Sequence, residues 1–115
     1  MSIIVKGSDV TINVSVKQSD GTTAYDLTGA SIRFAVYQNK EEAIQLFEDG
    51  DVVRVDASAG TIKVYLDRAN VDIAEDRMLY GEIELTVSDA NFSGSEQIMK
   101  ITDILLGTVK NSVLS

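Results

Sequence analysis

The sequence predicts an all-β sandwich or barrel, on three observations. Apolar and polar residues alternate in segment after segment, the period of a strand with one buried and one wet face. Turn residues separate these segments at intervals of about ten positions. The segments number about seven, as in a domain built from two β layers or one closed sheet.

The elements follow in order. Val10, Ile12, Val14 and Val16 alternate with Thr11, Asn13, Ser15 and Lys17. Gln18-Ser19-Asp20-Gly21 then carries turn chemistry, Asp-Gly being suited to positive φ, so a hairpin or tight corner belongs there. The second strand points Ile32, Phe34 and Val36 inward and Ser31, Arg33 and Tyr37 outward. Tyr25-Asp26-Leu27-Thr28-Gly29-Ala30 introduces it, with Gly29 turning the chain and Leu27 plugging the end of the core.

Residues Gln38 to Gly50 are ambiguous between strand, loop and short helix. Ala43, Ile44 and Phe47 have helical spacing, whereas Ile44 and Leu46 alternate, and a loop followed by a strand is the favoured reading. Val52 to Val55 forms another short strand. The Asp56–Gly60 turn leads into Ile62, Val64 and Leu66. Asp67 can cap a short helical turn with Val71 and Ile73 beneath it. Leu79, Gly81, Ile83, Leu85 and Val87 mark a long strand whose other face shows Tyr80, Glu82, Glu84 and Thr86. A polar turn, Ser88 to Gly94, precedes the last long strand, Ile98 to Leu106. No linker, repeat or low-complexity tract divides the chain, so residues 1–115 read as one domain.

Composition narrows the function. The 115 residues include no His, Cys, Trp or Pro. Lacking His, the chain has no side chain whose ordinary pKa lies near neutrality, and lacking Cys it has no thiolate nucleophile, disulfide or soft metal ligand. Ser-His-Asp and Cys-His catalysis and the usual zinc sites are excluded. The expectation is a protein that is not an enzyme and needs no cofactor. Its net charge of −8 opposes binding to nucleic acid or to an anionic membrane surface. No signal peptide is visible and no apolar run approaches bilayer length. The absence of cysteine fits synthesis in a reducing cytosol.

Several candidate sites have simpler explanations. The acidic clusters Glu48-Asp49-Asp51 and Asp67-Asp72-Glu75-Asp76 could offer oxygen ligands to calcium, but neither has the EF-hand spacing, and solvated loop charge accounts for both. Glu82 and Glu84 lie on one strand face like a catalytic carboxylate pair. The outward face of a wet strand explains them with less, and no catalytic or metal-binding residue is assigned. Asn13-Val14-Ser15 and Asn91-Phe92-Ser93 match the glycosylation pattern, as chance matches do. No Gly-rich phosphate loop is present.

The chain ends say more. Ile3, Ile4 and Val5 precede the first alternating strand, and Leu105, Leu106, Val109, Val113 and Leu114 continue apolar past the last. Either both ends pair as edge strands within the domain, or one docks on a neighbouring subunit by strand addition. Ile3, Ile4, Val5, Leu106, Val109, Val113 and Leu114 are therefore the candidate interface residues, within terminal segments 1–7 and 107–115.

Over residues 9 to 106 the chain resembles the immunoglobulin-like N-terminal domain of phage baseplate upper proteins and related tail structural proteins. The resemblance rests on Asp9-Val10-Thr11-Ile12-Asn13-Val14, on Asp26-Leu27-Thr28-Gly29-Ala30-Ser31-Ile32-Arg33-Phe34-Ala35-Val36, on Gly60-Thr61-Ile62-Lys63-Val64-Tyr65-Leu66, and on Gly81-Glu82-Ile83-Glu84-Leu85. It implies an immunoglobulin-like antiparallel sandwich of about seven to nine strands. It also implies a virion structural protein of the tail or baseplate region, assembled in the bacterial cytoplasm. Such a protein would partner itself or other virion proteins, as a homo-oligomer or part of a larger assembly. The alternative function is a free-standing module that binds carbohydrate or a protein surface.

Overall fold

The computed structural model describes residues 2–18, 20–39, 42–71 and 77–110. Eight strands form two facing sheets: β1 (Ser2–Val5), β2 (Val10–Ser15), β3 (Ser31–Asn39), β4 (Glu42–Phe47), β5 (Val53–Asp56), β6 (Thr61–Leu66), β7 (Met78–Ser88) and β8 (Glu96–Lys110). One sheet has the order β1-β8-β7-β3-β4 and the other β2-β6-β5. With β2 to β8 read as strands B, C, C′, D, E, F and G, this is an immunoglobulin-like arrangement. Strand β1 pairs parallel with β8, Ile4 opposite Val109, while the other strand pairings among the described residues are antiparallel.

The alternation seen in the sequence becomes the core. Ile12 and Val14 of β2, Ile62, Val64 and Leu66 of β6, and Ile32, Phe34 and Val36 of β3 are buried between the layers with Leu79, Ile83 and Leu85 of β7. Each such side chain contributes roughly 1.5–3 kcal/mol through removal from water. Val87, at the far end of β7, is only half-buried, so the inward row stops one position earlier than its alternation implies.

The corner before β3 is held at both ends. Asp26 Oδ1 accepts the Thr28 N–H at 2.9 Å, and the Ala30 N–H donates to the Leu27 carbonyl at 3.0 Å. Gly29 takes φ +78° with open space around it. Leu27 is fully buried, and its own N–H donates to Ala57 O at 2.8 Å, tying this corner to the turn before β6. Gly60, in that turn, has φ +74° and no room for a side chain.

The strand favoured within residues 38–50 is present as β4, and the extent of the last strand is corrected. β3 continues to Asn39 and β4 begins at Glu42, so most of the ambiguous 38–50 stretch is strand, paired Phe34 to Phe47 and Ala35 to Leu46. Only Asp49–Asp51 is a single 3-10 turn. β8 is also longer than its alternation suggests, because it contains two bulges. Ile83 pairs with Ile101 but Gly81 pairs with Ile104, so Thr102 and Asp103 together oppose Glu82. Tyr80 pairs with Leu105 and Leu79 with Gly107, which leaves Leu106 as a second extra residue. Each bulge adds local twist, and with both in place Met99, Ile101, Ile104 and Leu106 all pack against the core.

Asp67 caps a 3-10 turn at Arg68–Asn70 by accepting the Ala69 N–H, and Val71 is fully buried after it. Ile73, expected to sit beside Val71, lies outside the described residues.

Candidate interaction surface

The outer face of the five-stranded sheet carries the most unusual surface chemistry. Its positions follow from register. One row crosses Tyr37, Tyr80 and Leu105 on β3, β7 and β8, and a second crosses Met78, Thr108 and Ile3 on β7, β8 and β1. A third runs from Leu46 through Ala35 to Glu82. Ile3 is 69% exposed, Leu46 58% and Leu105 48%, all on positions of outward parity where polar residues are expected. Ala35, Tyr37, Ala43, Leu46 and Glu82 line a shallow hollow of about 360 Å³ on this face.

Tyr37 corrects the sequence reading. It has outward parity, as expected, yet is only 5% exposed. Its ring stacks on Tyr80 with centroids 6.1 Å apart. Its hydroxyl donates to Asp103 Oδ1 at 2.8 Å, accepts the Asp103 N–H at 2.9 Å, and lies 3.1 Å from Thr102 Oγ1. Asp103 has φ +59°, the left-handed conformation that Asp tolerates better than most residues. The tyrosine thus pins the first bulge of β8 from the outer face.

Beyond the apolar rows the same face carries a charge ladder. Arg33, Glu84 and Lys100 are in register on β3, β7 and β8. Glu84 lies 3.6 Å from Arg33 Nη1 and 3.6 Å from Lys100 Nζ, while Arg33 Nε donates to Glu48 Oε2 at 2.9 Å. The carboxylates of Glu48 and Glu84 raise the Arg33 pKa above its ordinary value, Glu48 most. Glu82 and Glu84 are half-buried, so the picture of a wet strand face needs correcting, and Glu84 is bracketed by cations.

The first acidic cluster is likewise occupied by its own chain. Asp49 Oδ1 accepts the Ile32 N–H at 2.8 Å and pairs with Arg54, whose Nη2 also donates to Ala30 O at 2.8 Å. The Ile32 N–H, and after it Arg54, hold the Asp49 carboxyl below its ordinary pKa. These bonds lock the start of β3. Of the second cluster, Asp72, Glu75 and Asp76 lie outside the described residues. Among the described residues no group of three His, Cys, Asp or Glu could hold a metal ion, and no helix is long and apolar enough to cross a membrane.

The candidate interface residues of the chain ends divide. Ile4 and Val109 are buried opposite each other in the parallel pair and belong to this domain's own core, which corrects their assignment as docking residues. Leu106 also packs against the core, whereas its neighbour Leu105 is exposed. The first bulge sets that parity, turning Leu105 outward. Ile3 and Val5 are exposed on β1, and Ile3 joins the apolar rows. Val113 and Leu114 lie outside the described residues. Leu46 and Met78 are contributors that reading the chain ends missed, and Leu105, part of the apolar C-terminal run, falls outside the candidate interface set. Their signal is an apolar residue on the polar parity of a strand. No protein-family model and no curated protein matches the chain.

Proposed function

We propose that this chain is a structural protein of a phage or prophage particle: an immunoglobulin-like module of the tail or baseplate region that acts by packing against neighbouring subunits, without chemistry of its own. The observation that carries the reading is the cluster of exposed Ile3, Leu105 and Met78 on the neighbouring strands β1, β8 and β7 of one sheet face. Monomeric soluble proteins seldom leave contiguous apolar surface uncovered, and such patches mark places where another surface sits. The segments that resemble baseplate and tail proteins support the particle context. They form β2, the corner with β3, β6 and the middle of β7, strands drawn from both sheets.

The test is the particle itself. Particles induced from the strain that encodes the chain, purified on a density gradient, are expected to contain it at a fixed stoichiometry to the tail proteins. A chain that stays wholly in the soluble cell fraction, with tailed particles in the gradient, refutes the proposal.

A further inference from the structure

We infer that the open edge of β2 pairs with the β2 edge of a second copy, antiparallel about a two-fold axis at Asn13, joining two three-stranded sheets into one. This surface is distinct from the outer face, and the inference stands whether or not the chain belongs to a particle. It begins with backbone chemistry. The Val16 N–H donates to Gly60 O at 2.8 Å, on the β6 side. Backbone groups alternate sides along an antiparallel strand, so Thr11, Asn13 and Ser15 aim their N–H and C=O groups away from β6. Among the described residues no strand pairs on that side. All three residues are exposed, and a cleft of about 100 Å³ opens beside them, between β2 and the Ile4 and Leu106 side chains of the other layer. Proteins guard free edges with short strands, bulges, charge or proline. β1 has four residues; β5 has four, with Arg54 and Asp56 among them; β4 opens on Glu42 and shifts register twice against β3. β2 has none of these devices: six residues in unbroken register with β6 and no charge among them. The groups it presents are those another strand completes.

The sequence of the strand names the occupant. Asp9-Val10-Thr11-Ile12-Asn13-Val14-Ser15-Val16-Lys17 has nearly the same chemistry read in either direction from Asn13. A two-fold axis there sets Asn13 against its own copy, Thr11 against Ser15, Ile12 against Val14, Val10 against Val16, and Asp9 against Lys17. The pairs that must share hydrogen bonds are then Asn13 with Asn13 and Thr11 with Ser15, the residues whose backbone faces the edge. A two-fold interface has to contain both members of every contact it makes, and this strand does. Moving the axis to Ile12 or Val14 sets Lys17 against Gly7 or Thr11 and separates the opposite charges. That matters in a chain of net charge −8, whose copies repel elsewhere. Asp9 already holds Arg68 at 3.0 Å, so each end of the paired strands places one carboxylate between two cations.

Oxidative cross-linking of the whole chain tests the register, because the chain has no cysteine of its own. Opposed residues of a hydrogen-bonded antiparallel pair have Cα atoms about 5.5 Å apart, within the roughly 4.4–6.8 Å that a disulfide spans. Asn13→Cys should therefore oxidise to a covalent dimer at least tenfold faster than Val55→Cys, an exposed position on β5 at the far edge of the same sheet. Sedimentation velocity between about 1 and 200 µM should show the parent chain in a monomer–dimer equilibrium. Asn13→Pro, which removes the central N–H, should shift it at least tenfold toward monomer, and Lys17→Glu, which opposes two carboxylates, at least threefold. Circular dichroism melts check that both variants fold; if the proline variant does not, Lys17→Glu and the cross-linking rates decide. A strict monomer at 200 µM, a dimer indifferent to the folded β2 variants, or equal cross-linking rates for the two cysteine variants overturns the inference. The density gradient decides separately whether the chain is a particle component.

Discussion

Replacing Gly60 by Ala tests whether the join between the corner before β3 and the turn before β6 is as tight as the structure has it. A Cβ at Gly60 would lie 2.5 Å from the Tyr25 carbonyl oxygen and 2.7 Å from the Val16 carbonyl oxygen, both backbone atoms. Neither can turn aside, because the Val16 carbonyl accepts the Tyr25 N–H at 2.9 Å and the Val16 N–H donates to Gly60 O at 2.8 Å. Gly29 is the internal control: its φ is +78° against +74° at Gly60, but nothing lies within 4 Å of its Cβ position. Left-handed backbone costs an alanine about 1–2 kcal/mol, offset by some 0.4–1 kcal/mol from the stiffer unfolded chain. Gly29→Ala should therefore destabilise by about 1 kcal/mol. Gly60→Ala carries the same backbone cost plus about 1–3 kcal/mol for displacing packed backbone, about 3 kcal/mol in all. Urea denaturation followed by far-ultraviolet circular dichroism measures both. With a slope of about 1–3 kcal/mol per molar, the difference separates the midpoints by about 1 M. Equal midpoints for the two variants would refute the close approach, whatever their common shift from the parent protein.

Three other expectations follow from named contacts. Tyr37→Phe keeps the ring stacked on Tyr80 but removes the hydroxyl that Asp103 both donates to and accepts from; the loss should be about 1–2 kcal/mol, read as a fall in Tm of roughly 3–6 °C per kcal/mol, and an unchanged Tm would mean water replaces the hydroxyl fully. A Cβ at Gly81 would lie 2.5 Å from Phe34 Cζ, so Gly81→Ala should destabilise strongly alone and much less beside Phe34→Leu; additive effects in the double-mutant cycle would refute that contact. Hydrogen bonds from Thr23 and Thr22 hold the Asp20 carboxyl at about 2 against an ordinary 3.8. Because this pKa is depressed in the folded state, its stabilisation is complete above about pH 4 and is lost as pH falls through about 2. Melts of Asp20→Asn across that window should show a shallower acid decline than those of the parent protein; parallel curves would refute it.

The sandwich was legible because its core strands bury one face and wet the other. Val10 to Val16, Ile32 to Val36 and Ile62 to Leu66 each repeat at two residues, and Gly29 and the Asp56–Gly60 turn separate them where the chain turns. What alternation alone could not show was β8. From Ile98 onward its apolar residues fall at 98, 99, 101, 104, 105, 106 and 109, a sequence with no single period. That pattern is a strand with two insertions, and bulges shift parity without a local residue signature as strong as an Asp-Gly turn. The β3–β4 hairpin was obscured in another way: Ala43, Ile44 and Phe47 satisfy a helical spacing as well as a strand. Pairing with β3, a contact distant from any local propensity, decides in favour of the strand.

The features that escaped the sequence reading are the ones that build the candidate surface. Without the Thr102–Asp103 bulge, the parity set by Met99 and Ile101 would point Ile104 outward and Leu105 toward the core. The bulge reverses that parity, so Ile104 packs inward and Leu105 stands beside Tyr80 on the outer face. The Leu106 insertion then resets it, which lets Val109 meet Ile4 in the core while Thr108 and Ile3 face outward beside Met78. Tyr37 holds the first bulge through its hydroxyl while its ring fills the row next to Leu105. One side chain therefore links the register of the last strand to the make-up of the exposed face. Losing that hydroxyl should lower the Tm, whereas Leu105→Glu, on an exposed side chain, should leave it within a few degrees of the parent protein's. Melting both variants side by side separates a residue that shapes the face from one that only lies on it.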